Sequence, residues 1–97
     1  MSEPSALTAI TDTSTIKLSW PSVEGASGYR IYYKTTGNWK KIVKFTDSNA
    51  YELTNIKPGL RVHFAVKSCV VEDGQVLFSS GYAYTYSATK ENSNKAL

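Results

Sequence analysis

One cysteine and one histidine occur in 97 residues. A single cysteine excludes an internal disulfide and any Cys-x-x-Cys redox or metal motif. A single histidine leaves most zinc sites and catalytic triads without parts, so no cofactor is expected. No apolar run approaches the roughly 18 residues of a membrane-spanning helix, and no charged-then-apolar leader opens the chain. Charge of one sign is scarce as well. Eleven Lys and Arg against eight Asp and Glu leave +3, less than a protein that reads phosphates usually gathers, which argues against nucleic acid as a partner. There is no internal repeat and no low-complexity tract. The chain is 41% hydrophobic and 12% aromatic. Its length suits one domain, which buries about two thirds of its unfolded surface and needs no staple to hold one core.

Met1 to Ser5 shows no apolar periodicity and reads as an N-terminal linker. From Lys90 to Leu97 the chain is polar and reads as a tail or cloning remnant. The ordered domain is expected over residues 6–89, as a piece cut from a longer polypeptide.

Between these limits period-two alternation recurs, and helical periodicity does not. Ile16-Lys17-Leu18-Ser19-Trp20 alternates until Pro21 stops it. Tyr29 to Lys34 repeats the pattern after the Gly25-Ala26-Ser27-Gly28 turn. Thr35-Thr36-Gly37-Asn38 supplies another turn before a short strand from Trp39 to Phe45. Tyr51-Glu52-Leu53 follows a polar loop, and Val62 to Ser68 is the longest clean alternation. Asp73-Gly74 is a hairpin signal, because its turn needs positive φ. Val76 to Ala88, rich in Tyr, Thr and Ser, reads as one last strand. With Leu7–Ile10 the count is seven short strands, a density that points to an all-β sandwich of two sheets. Each sheet buries one face. The expected core is therefore Leu7, Ile16, Leu18, Trp20, Tyr29, Ile31, Tyr33, Ile42, Leu53, Ile56, Val62, Phe64 and Val66, completed by Tyr84, Tyr86 and Ala88.

Four motifs stand in register along this chain: Ile16-x-Leu18-x-Trp20, Gly28-Tyr29-x-Ile31-x-Tyr33, Leu53-Thr54-Asn55-Ile56-Lys57-Pro58-Gly59, and Val62-x-Phe64-x-Val66. Together they resemble a fibronectin type III domain over nearly the whole chain. Trp39-Lys40-Lys41-Ile42 and Tyr86-Ser87-Ala88-Thr89 look like the versions found in bacterial secreted and surface proteins. The resemblance implies a seven-stranded immunoglobulin-like β-sandwich, an extracellular or cell-surface location, and a chain that enters at one end of the domain and leaves at the other. One departure is Val62, where the family usually has a corner Tyr four residues after the Pro. A hydrogen bond worth about 0.5–1.5 kcal/mol is thereby absent, leaving Ile56 and Pro58 to hold the corner by packing. Another is the turn Val71-Glu72-Asp73-Gly74-Gln75, which lacks the Arg-Gly-Asp of the integrin-binding members.

Candidate chemistry is sparse. His63 and Cys69 share the outward parity of one strand but stand six residues, about 20 Å, apart, too far for a nucleophile–base pair. Cys69 is expected to be a small, partly covered apolar residue. Glu72-Asp73 sit in a turn rather than a cleft. Asp47-Ser48-Asn49 offers too few oxygens for calcium, which takes six or more.

A basic stretch is the strongest surface feature: Arg30, Lys34, Lys40, Lys41 and Lys44 with no acid among them. Arg30, Tyr32 and Lys34 share an outward parity, and sheet pairing would set them beside His63, Ala65 and Lys67. The candidate binding surface is thus Arg30, Tyr32, Lys34, Trp39, Lys41 and Lys67, suited to an acidic patch on a protein or to an anionic glycan. Solubilising lysines on strand edges would look the same. Trp39 beside Tyr32 would also suit a stacked sugar ring.

The function expected is a non-catalytic spacer and interaction module, monomeric when isolated, whose first partners are neighbouring domains of the same chain. Two alternatives stand beside it: an accessory module of a secreted carbohydrate-degrading enzyme, and an adhesion or receptor-type module recognising one protein.

Overall fold

A computed structural model describes residues 2–56, 59 and 61–88 of the chain. It contains β1 (Thr8–Thr11), β2 (Ile16–Ser19), β3 (Gly28–Lys34), β4 (Lys40–Thr46), β5 (Ala50–Leu53), β6 (Arg61–Glu72), β7 (Gln75–Phe78) and β8 (Ala83–Ala88). One sheet has the order β1-β2-β5, and the other runs β4-β3-β6, with both β7 and β8 paired to β6. All pairings are antiparallel.

Local chemistry ends several strands where expected. Asp73 and Gly74 take φ of 49° and 77°, the doubly positive conformation of a tight hairpin turn, and join β6 to β7. After Trp20, the Asn49 side-chain amide donates to the Trp20 carbonyl at 3.2 Å and to the Ser22 hydroxyl at 2.8 Å. This pins the end of β2 to the start of β5. Ser48 donates its hydroxyl to the Ala50 carbonyl, so the polar groups of the Asp47–Asn49 loop hold a turn.

The core lies where the two sheets face each other. Ile16, Leu18, Trp20, Tyr29, Ile31, Val62, Phe64 and Val66 are buried, and Leu7, Tyr33, Ile42, Leu53 and Ile56 pack against them half-covered. Ala9, Val23, Ala26 and Tyr51 join that outer layer, beyond what alternation alone picks out. Each fully covered side chain of this size contributes about 1.5–3 kcal/mol relative to exposure. Trp20 and Tyr29 meet edge to face, with centroids 5.5 Å apart. The Tyr29 hydroxyl accepts the Val23 amide at 2.9 Å. The Val62 side chain is buried at the family's corner position, whereas Pro58 of that corner lies outside the described residues.

Four expectations need correction. The run Val76 to Ala88 is two strands, so the described strands number eight rather than seven. The chain leaves the ladder after Phe78, where Cys69 pairs Phe78, and rejoins it with Val66 opposite Ala83. Ser79 fills the break: its amide donates to the Ser68 carbonyl and its hydroxyl accepts the Ser68 amide and donates to the Gly81 carbonyl.

The second correction concerns the inward face of β8. Residues directly opposite in a ladder share a face. Phe64 and Val62 oppose Thr85 and Ser87, whereas Ala65 and His63 oppose Tyr84 and Tyr86. Tyr84 and Tyr86 therefore point outward, at 47% and 55% exposure, and Ala83 takes the buried place. The side chain of Ala88 lies outside the described residues.

Third, Cys69 is on the outward parity but fully buried. Arg30 stacks its guanidinium 4.1 Å from the centre of Phe78, the residue opposite Cys69, and this part of the face is covered. Fourth, Pro4 is among the fully buried side chains, so packing begins inside the segment read as a linker.

Candidate functional site

The outer face of the larger sheet gathers the chemistry. Its cross-strand rows follow from the register: Arg30 beside Lys67, Tyr32 between Lys41 and Ala65 with Tyr84 beyond, and Lys34 beside His63 with Tyr86 beyond. Five of the six residues singled out from the sequence, Arg30, Tyr32, Lys34, Lys41 and Lys67, thus stand on neighbouring strands of one sheet. Trp39, the sixth, precedes β4 and turns its ring to the same face.

Trp39 makes edge-to-face contacts with Tyr82 at 6.1 Å and with Tyr84 at 6.3 Å between centroids. Such pairs contribute about 0.5–1.5 kcal/mol beyond the area they bury. Beside them lies an open hollow of about 280 Å³ lined by Tyr32, Trp39, Ala65, Lys67, Ser80 and Tyr82. Ala65 is its floor. This small side chain between Tyr32 and Tyr84 leaves depth that a larger residue would fill, and it is only 3% exposed despite facing away from the core.

The cations of the face do not stand apart from the rings. The Lys34 ammonium lies 4.6 Å from the centre of Trp39. Arg61 lies 5.1 Å from that of Tyr86, and Arg30 covers Phe78. Cation–π contact of this kind stabilises by about 0.5–1 kcal/mol at exposed sites. His63 lies between Tyr84 and Tyr86, its Nδ1 hydrogen-bonded to the Tyr84 hydroxyl.

Sequence reasoning missed Tyr82, Tyr84 and Ser80. The alternation Tyr82-x-Tyr84-x-Tyr86 signals that the three share a face; which face depends on the ladder break at Ser79.

The Cys69 thiol is buried, and burial pushes it above its ordinary value of 9.0, an effect partly offset by the Arg30 charge. Among the described residues no group of three or more His, Cys, Asp or Glu could hold a metal ion. Among the described residues no helix is long and apolar enough to cross a membrane.

The antiparallel sandwich, with its two sheets packed around Trp20, defines an immunoglobulin-like module. More narrowly, the fold is that of a fibronectin type III domain. The chain superimposes on FN3tt with a TM-score of 0.76 at 26% identity, over 94% of this chain and 96% of that one. A fibronectin type III domain of the human KIAA0970 protein gives 0.70 at 17% identity, over 93% and 74%. The β-1,2-glucanase of Parabacteroides distasonis gives 0.75 at 19% identity, over 97% of this chain but 13% of the glucanase. In sequence, the chain is 31% identical over 67 residues to an amylopullulanase of Thermoanaerobacterium saccharolyticum, a match to 67% of this chain and 5% of that protein. The chain therefore spans a small fraction of that relative's length. No protein-family model matches it.

Proposed function

We propose that this domain is a non-catalytic spacer and interaction module of a larger polypeptide that degrades carbohydrate outside the cell. One observation supports the reading: the chain matches an amylopullulanase in sequence and a β-1,2-glucanase in structure, over only 5% and 13% of those far longer proteins. The outer face of the larger sheet is the surface through which it would meet its partners, and the sandwich sets the distance between its neighbours.

Removing the domain from the longer polypeptide tests this. The expected result is an unchanged kcat/KM on a short soluble oligosaccharide and a reduced rate on insoluble polysaccharide. Release of reducing sugar by the isolated domain, or equal activity of the shortened enzyme on both substrates, would overturn it.

A further inference from the structure

The hollow on the outer face has a shape and a chemistry that choose among ligands. We infer that it is a binding subsite for an uncharged glucan chain, one sugar ring lying against Trp39 and Tyr82 above Ala65. This rests on the accessory-module reading for the glucan class, and on the geometry of the face for everything else.

The floor is the Ala65 methyl, and the walls come from the aromatic rings of Trp39, Tyr32 and Tyr82; Lys67 and Ser80 sit among them as hydrogen-bonding groups. A pyranose has the complementary division, with C–H groups on its faces and hydroxyls around its edge. Trp39 is held in place rather than left to swing. Its ring touches Tyr82 and Tyr84 and carries the Lys34 ammonium against it, which lowers the ordering cost of binding. At about 280 Å³ the hollow falls just under the roughly 300 Å³ where small-molecule sites begin. That is the scale of a sugar ring.

Charge separates an uncharged glucan from an anionic one. A polyanion site holds out several cations as donors. Here Arg30, Lys34 and Arg61 each lie over an aromatic ring, on Phe78, Trp39 and Tyr86, and none of the three lines the hollow. Of the six residues lining the hollow only Lys67 is charged. A single ammonium orients a hydroxylated ligand without demanding a carboxylate or sulfate.

The test is titration of the isolated domain with maltoheptaose, with a β-1,2-linked gluco-oligosaccharide and with polygalacturonate, followed by amide chemical shifts and Trp fluorescence. Trp20 is buried at 5% exposure, so a fluorescence response reports Trp39. The two glucans distinguish α- from β-linked chains, and a response to either supports the subsite. The expected result is shifts confined to residues around Ala65 and Tyr82. Binding should survive high salt, where the screening length falls to about 3 Å at 1 M. Trp39→Ala and, separately, the exposed Tyr82→Ala should each weaken it about tenfold, the loss expected for an aromatic anchor. Trp39→Phe should retain part of the affinity, which separates stacking from a packing defect. The proposal falls if neither glucan shifts these residues, if only polygalacturonate binds and salt removes it, or if binding survives the loss of both rings in variants that melt like the parent. If neither glucan binds but removal of the domain still slows attack on insoluble polysaccharide, the module reading stands and the subsite does not.

Discussion

Gly28 opens β3, and its replacement by alanine has an effect whose sign the structure decides. Its backbone is not in the left-handed region, so an alanine there is conformationally acceptable. By that reasoning alone, Gly28→Ala should stabilise by about 0.4–1 kcal/mol, since the unfolded chain loses freedom. The neighbouring strand reverses this. A Cβ on Gly28 would stand 2.6 Å from the Thr46 carbonyl oxygen and 2.6 Å from Cζ of Phe45, well inside the roughly 3.5 Å of a comfortable contact. Phe45 is 45% exposed and its ring can swing aside. The Thr46 carbonyl belongs to the backbone of β4, paired there with Tyr29, and can yield only if the end of that strand moves. Overpacking of this kind costs about 1–3 kcal/mol. At about 4–8 °C per kcal/mol for a domain near this size, the melting temperature should fall on the order of 5–20 °C. Thermal and urea melts followed by Trp fluorescence measure it, and hydrogen exchange should locate the loosening at the end of β4. An equal or higher melting temperature would refute the close approach of β4 to Gly28.

Two further perturbations probe the core. Tyr29→Phe keeps the ring against Trp20 but removes the acceptor for the Val23 amide; stability should drop by about 0.5–1.5 kcal/mol, with faster exchange at Val23, and unchanged exchange there would deny the bond. Cys69 should resist thiol reagents until the domain unfolds. Because its folded pKa is raised above the ordinary 9.0, the unfolded chain releases this proton first. Stability should thus decline as pH rises above about 9, and by less in Cys69→Ala. Rapid labelling of the native protein, or identical alkaline melts for the two proteins, would contradict that burial.

The alternation along β2, β3 and the first part of β6 is enough to name the central core. Ile16, Leu18, Trp20, Ile31, Val62, Phe64 and Val66 all lie where their parity puts them. The Asp73-Gly74 turn was equally legible, because positive φ is a property of the residues that adopt it. The basic face was half legible. Parity on β3 and β6 placed Arg30, Tyr32, Lys34 and Lys67 together, while on the far side of β6 Tyr84 was assigned to the core and Tyr82 to no surface.

What the sequence determined by itself, then, is what depends on neighbours along the chain: the direction of each side chain within its own strand, the turns, and so the two-layer architecture. The tertiary structure decided what depends on neighbours across it. The break at Ser79 chose the face on which Tyr84 and Tyr86 would stand, for only the register against β6 relates β8 to the core. Cys69 is buried beside Phe78, its partner across the ladder, although its parity pointed outward. The ring-lined hollow over Ala65 exists because distant segments converge there, and no local pattern records that convergence.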